Sequence, residues 1–231
     1  MIQAPQYLFC LPDYLLPVPH HLFYIDRIRG MVSNYEMGIS REHIEMAVAI
    51  LTGVGLSAAC GFRIFFPLLA LNLASMFGYI GLAPGFEWIA GIQVTIAFGL
   101  ATILEIVAYY VPWLDNIMDS IASPISVIAG TIVTASLITD IPPALKWTIS
   151  IIAGGGIAGL FQGATVALRT KSSFFTGGFG NFIVASLELL ASAIVSILSL
   201  LIPIAAFVLT LLLITYGIIL ARKVYLRKRS P

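Results

Sequence analysis

Two glutamates stand where charge is costly. Glu105 sits in the run Ile103-Leu104-Glu105-Ile106-Val107-Ala108, and Glu188 in Ser186-Leu187-Glu188-Leu189-Leu190-Ala191. An ionisable side chain within a membrane span costs roughly 2.5–3.5 kcal/mol on insertion scales, so it faces the bundle interior or a cavity. There a carboxyl can accept and release a proton, or an ionised pair can hold a cation. The same residue can instead be protonated, or bonded to a Ser, Thr or Asn, and only lock two helices together. Arg63 is a third charge inside an apolar run. It could counter a carboxylate or bind an anionic substrate bidentately, or snorkel to the outer interface. Gly61 and Pro67 beside it suggest a broken helix and a buried partner.

Three further groups invite chemistry. Thr176-Gly177-Gly178-Phe179-Gly180-Asn181 opens an apolar run just after Arg169 and Lys171. Its glycines free the backbone, and the N–H groups of a helix start can face an anion or polar substrate; a flexible loop with a cap is the plainer reading. It lacks the Gly-Lys-Ser/Thr ending of a phosphate loop. Asp115 and Asp119 are four residues apart, spaced to share a helical face as caps at a helix start or as the mouth of a cation path. His20, His21 and His43 have no cysteine or carboxylate cluster around them, so neither a transition metal nor another cofactor is expected. No nucleophile elbow, HExxH or dinucleotide fingerprint appears, and no enzyme is expected.

These side chains need membrane helices to hold them. The chain has 231 residues, 59% apolar and only 10% charged, against about a quarter charged in soluble domains. A net charge of +1 gives no reason to expect a nucleic-acid partner. A bilayer core takes roughly 20 apolar residues per helix, which predicts an all-α polytopic bundle of about six spans. They are placed near 44–66, 88–110, 119–139, 145–168, 178–198 and 202–221, within a membrane domain over 44–222. Residues 1–43 read as an irregular tail containing Pro5, Pro12, Pro17 and Pro19, with an N-cap near Ser40. Residues 223–231 form a basic tail. Cys10 and Cys60 lie in contexts too different for a structural disulfide. No cleavable signal peptide is visible, so the first span is expected to act as its own targeting signal.

Trp88, Trp113 and Trp147 fall near predicted helix ends, where amphipathic rings mark a membrane boundary. With six spans, Arg27, Arg29, Arg41, Arg169, Lys171, Arg222, Lys223, Arg227, Lys228 and Arg229 share one side, and Lys146 is alone on the other. The positive-inside rule then puts both termini in the cytoplasm. Residues 67–80 are left over as an interfacial or re-entrant piece.

The halves echo one another. Gly53, Ser57 and Gly61 recur as Gly155, Gly159 and Gly163; the Glu105 and Glu188 segments match; Ser123-Pro124-Ile125 parallels Ile202-Pro203-Ile204. Three spans per half predicts an inverted 3+3 repeat, an arrangement that puts transporter sites near the midplane. The small-residue ladders are expected to be close-packing faces, within the chain or in a homodimer.

The motifs resemble an uncharacterised bacterial integral membrane family, domain of unknown function 4126, over roughly residues 48–222. They are Gly55-Leu56-Ser57-Ala58-Ala59, Gly61-Phe62-Arg63 and Pro67, Leu104-Glu105, Val111-Pro112 and Asp115, then Thr176–Asn181 and Leu187-Glu188. Tyr109 and Tyr110 stand where the family has a basic residue before its proline, which weakens any charge pair there. The resemblance implies a small helical protein of the bacterial plasma membrane and brings no substrate. Together with the residues it leads to a small secondary transporter or ion-conducting protein for an ion or solute. Glu105 and Glu188 would bind a proton or cation, and Arg63 with the Gly177–Asn181 loop would contact substrate or gate access. The alternative is a scaffold or subunit of a larger membrane complex; a lipid-acting enzyme is third.

Overall fold

The computed structural model describes residues 41–111, 114–139 and 141–227. The expectations for residues 1–40, Pro112, Trp113 and the last four residues lie outside this set. The described residues contain helices and no strand. In chain order the helices are α1 (Arg41–Cys60), α2 (Phe65–Met76), α3 (Ile92–Tyr109), α4 (Leu114–Leu137), α5 (Pro143–Thr176), α6 (Asn181–Leu201) and α7 (Pro203–Arg227). A 3₁₀ turn, Glu87–Ala90, precedes α3. Within α1, and in α3, α4, α5 and α6, the apolar stretch is long enough to cross a bilayer; α2 and the Pro203–Ile219 stretch of α7 are shorter. The chain is a helical integral membrane protein. Its outward Leu, Ile and Phe side chains meet lipid: Leu104, Ile152 and Ile204 are among the most exposed.

Each of the six apolar runs forms a helix. The breaks follow local chemistry. Gly61 ends α1 where a side chain would strike Phe161 and the Ala158 carbonyl. Pro67 sits in the first turn of α2, where a missing N–H costs nothing. Pro203 opens α7 and keeps Ile202 out of the helical region, at φ −141° and ψ 75°, ending α6 at Leu201. The three glycines at 154–156 give the backbone freedom to depart from α-helical geometry, and Ser150–Gly155 is a π-helical stretch within α5.

Contacts along the helices set their directions. Gly53 lies against Thr134, and the Ser57 hydroxyl donates to the Gly130 carbonyl at 2.8 Å, so α1 and α4 are antiparallel. Gly154 lies against Gly130 and Thr134, and Gly159 against Val127, so α4 and α5 are also antiparallel. Ser199 faces Gly55, Ser192 donates to the Ala59 carbonyl, and Arg63 donates to the Ala185 carbonyl, so α6 runs against α1. The start of α2 meets Glu105 of α3, whereas Asn72 reaches Ile89 and Thr95. Thus α2 turns back on α1 and is antiparallel to α3.

The result is a hairpin, α1–α2, whose tip at Gly61–Ile64 is buried in the bundle. The tip stops beside Arg169, seven residues short of the end of α5, or about 10 Å inside that end. The expected re-entrant piece is therefore α1 and α2 together. This changes two further expectations. α1 and α5 run the same way, so their matched ladders are not related by inversion, although the α3/α6 and α4/α7 pairs do run oppositely. Arg41 lies at the same end as Lys146, opposite the end of α7, so the expectation that all the basic residues but Lys146 share one face does not hold.

The small-residue ladder packs only in part. Gly53, Ser57, Gly61, Gly155 and Gly159 all meet a neighbouring helix, while Gly163 faces open space. Gly130 and Gly154 make a tight crossing: a Cβ on Gly154 would lie 2.5 Å from the Gly130 carbonyl oxygen. Gly154→Ala should therefore destabilise the purified protein by about 1–3 kcal/mol in thermal unfolding. Gly163→Ala should be neutral or stabilising by up to about 1 kcal/mol; equal effects of the two would contradict this packing.

Candidate functional site

The end of α3, start of α4, end of α5 and start of α6 meet at one end of the bundle, and the α1–α2 tip points into them. Each brings a polar group that its own sequence cannot satisfy. At the centre is Tyr109, the last residue of α3 and only 3% exposed. The Arg63 guanidinium carbon lies 3.9 Å from its ring centroid and that of Arg169 lies 4.1 Å from it. Both arginines are buried, at 1% and 2% exposure. A cation over an aromatic face is attracted by the ring quadrupole, more strongly when water is excluded.

Carboxylates complete the cluster. Arg169 donates to Asp119 with one terminal nitrogen and to Glu188 with the other. Glu188 also lies 3.4 Å from Arg63, whose Nη2 donates to the Ala185 carbonyl at 2.9 Å. Thus Glu188 is shared by two guanidiniums, and Arg169 bridges α4 and α6. Bringing such charges out of water costs several kcal/mol per ion unless pairs and hydrogen bonds are well formed. Arg63 Nε and Nη1, Arg169 Nε and Glu188 Oε1 nevertheless have no protein partner.

Glu105 does something else. Its carboxylate accepts from the backbone N–H groups of Ile64 at 2.8 Å and Phe65 at 3.1 Å. It caps the start of α2, satisfying donors that no earlier turn can reach. Glu105 and Glu188 meet different parts of the hairpin tip, the α2 backbone and the Arg63 side chain, and are not bonded to one another. Arg63 has the buried partner expected from Gly61 and Pro67, but at a hairpin tip in place of an outer membrane surface.

Asp115 and Asp119 are both buried. Asp115 Oδ1 accepts from the Asn116 N–H, and its Oδ2 accepts from Asn181 Nδ2 at 2.6 Å. Asn181 Nδ2 also donates to Ser173 at 2.8 Å. The loop before α6 carries Gly177 and Gly178 at φ +63° and +94°, values that glycine adopts without strain. Several of its N–H groups are occupied: Gly180 donates to the Thr176 hydroxyl, and Phe179, Asn181 and Ile183 to backbone carbonyls. These four bonds are those of a loop with a cap, the plainer of the two readings of this segment. A cleft of about 440 Å³ opens here, lined by Tyr109, Tyr110, Asp115, Gly178, Phe179 and Asn181 among others. No group of three or more His, Cys, Asp or Glu suited to a metal ion occurs among the described residues.

Sequence reasoning passed over Arg169 and Tyr109. Arg169 reads as one of the basic residues flanking a span, yet Phe174 and Phe175 follow it. Aromatics beyond an arginine are the available sign that the membrane boundary lies further on. Tyr109 carries no such sign.

The chain matches the family described as Domain of unknown function (DUF4126) over residues 50–223. No curated protein and no solved structure matches it.

Two stability effects follow. Arg169→Ala should cost about 3–5 kcal/mol by leaving Asp119 and Glu188 buried without their partner. Arg169→Lys should recover only part of this, since an ammonium cannot bridge two carboxylates as a planar fork does. Glu105→Ala should cost about 1–3 kcal/mol through two unsatisfied N–H groups. Thermal unfolding in detergent checks each, and a wild-type midpoint in Arg169→Ala would contradict the burial argument.

Proposed function

The chain belongs to the DUF4126 family, and we propose that it is a small transporter or ion-conducting protein that moves a cation or proton through the Asp115–Asp119–Glu188 cluster. One observation carries this reading: a cleft open at one end of a membrane bundle is lined by the buried Asp115 and by Tyr109, whose ring carries the two guanidiniums that pair with Asp119 and Glu188. Arg63 and Arg169 balance Asp119 and Glu188, so the ionised Asp115 is left as an uncompensated negative charge at the cleft that a cation or proton would balance. Asp115 would receive the cation at the cleft. Asp119 and Glu188 would exchange it against Arg169 and Arg63, which act as tethered counter-charges. Intramembrane carboxylates in such a network are typical of ion and proton pathways.

The way onward is closed. Beyond the cluster, Leu56, Cys60, Ile64 and Leu68 pack with Ala129 and Val133 in an apolar core. The arrangement resembles one face of an alternating-access cycle, with the α1–α2 tip as the moving part. Release of Arg63 from Glu188 would free the tip, while Glu105 keeps α2 capped. Lys171, Arg222, Lys223 and Arg227 lie at the cleft end, against Arg41 and Lys146 at the other. On the positive-inside rule the cleft opens to the cytoplasm.

A scaffold reading has its own support, since the same network ties together α1–α2, α3, α4, α5 and α6. Flux separates the two. In proteoliposomes holding an interior pH dye, imposed proton, alkali-cation and quaternary-ammonium gradients should drive a signal in wild type and in Gly163→Ala. Glu188→Gln and Asp119→Asn should lower it at least tenfold at matched reconstitution. Absence of flux in folded wild type under every gradient would remove the transport reading in favour of the scaffold.

A further inference from the structure

Asp115 is fully buried, and among the described residues no cationic side chain pairs with it. Its two hydrogen bonds come from neutral donors, the Asn116 N–H and Asn181 Nδ2. Asp119, held by Arg169, adds a second negative charge nearby on the same helix. A second group points the same way. Asn181 is 3% exposed, and its Nδ2 is occupied by Asp115 and Ser173 while its Oδ1 has no partner. A buried carboxylate and an unused carbonyl oxygen in one cleft both call for a donor that carries positive charge.

The rest of the lining says what kind. Tyr110, Phe179 and Phe182 contribute three aromatic rings beside Tyr109, whose own ring already carries Arg63 and Arg169; Tyr110 and Phe182 pack at 4.7 Å between centroids. Phe179 stands at the rim, 89% exposed. A hard metal ion would want six or more oxygens, which this lining does not offer. Aromatic faces around an acid are the chemistry that recognises alkylated ammonium groups. A volume of about 440 Å³ lies within the roughly 300–1,000 Å³ of small-molecule sites.

We propose that this cleft binds the ammonium group of a small organic cation, seated between Asp115, the Asn181 carbonyl and the surrounding aromatic rings. The same chemistry is presented by a free amine and by the headgroup of an ethanolamine or choline lipid. The inference rests on the cation reading above and names its substrate class, yet binding is measurable without flux.

The test uses the full chain purified in an uncharged detergent, titrated with ethylammonium, tetramethylammonium and sodium chlorides at equal ionic strength by calorimetry. Both ammonium ions should bind saturably and sodium should not. Phe179→Ala, at an exposed position that leaves the fold intact, should weaken ammonium binding about three- to tenfold. Asp115→Asn should weaken it about tenfold or more. Repeating the titration in nanodiscs identifies the source. Competition by phosphatidylethanolamine and not by phosphatidylglycerol assigns a lipid headgroup, and equal binding in both assigns a free cation. No ammonium binding, binding matched by sodium, or wild-type affinity in Phe179→Ala would each overturn the proposal. Ammonium binding without flux would retain the site and remove the transport reading; proton or alkali flux without ammonium binding would do the reverse.

Discussion

An arginine cannot escape burial by losing its proton, because the guanidinium remains charged at any pH a protein meets. Arg63 and Arg169 therefore impose a constraint on everything around them. Each needs carboxylates, carbonyls and an aromatic face, and one helix cannot supply these. Glu188 comes from α6, Asp119 from α4 and Tyr109 from α3. The helix ends converge because the two charges are stable only where all these partners coincide.

The same constraint shapes the backbone. Arg63 reaches Glu188 from a hairpin tip, and a tip buried in a membrane bundle exposes backbone groups that water cannot satisfy. Glu105 meets part of that need by capping α2, and Gly61 lets the tip approach α5 closely. Ion network and broken helix thus depend on each other. Movement of Glu188 would be felt at the tip, and displacement of the tip would leave Glu188 with Arg169 alone.

Much was legible in the chain itself. Apolar runs of about twenty residues placed six helices, with ends up to eight residues from where they stand, because a bilayer sets helix length by a one-dimensional rule. Gly61, Arg63 and Pro67 together signalled a break, and the break is there. Glu188 and Arg63 stand out by type, since a charged side chain in an apolar span needs a partner somewhere; Asp115, Asp119 and Asn181 stand out by their place at the starts of two predicted helices. Hydropathy, however, does not distinguish a helix that crosses from one that turns back, and α1 with α2 was counted as a single crossing plus a remnant.

What the sequence by itself determined is therefore the list of helices and of polar groups that had to be satisfied. The pairing belonged to the tertiary structure. Glu105 and Glu188 look alike as strings, yet one meets bare backbone N–H groups and the other meets guanidiniums, because α3 and α6 present them to different sides of the same tip. Arg169 looks like a membrane-flanking residue until α5 is seen to continue to Thr176 and carry it inside. The physical reason is range: helix length and local capping depend on neighbours a few residues away. A buried charge, in contrast, is settled by partners 19 and 50 residues distant, as Arg169 is by Glu188 and Asp119, and only packing brings them within reach.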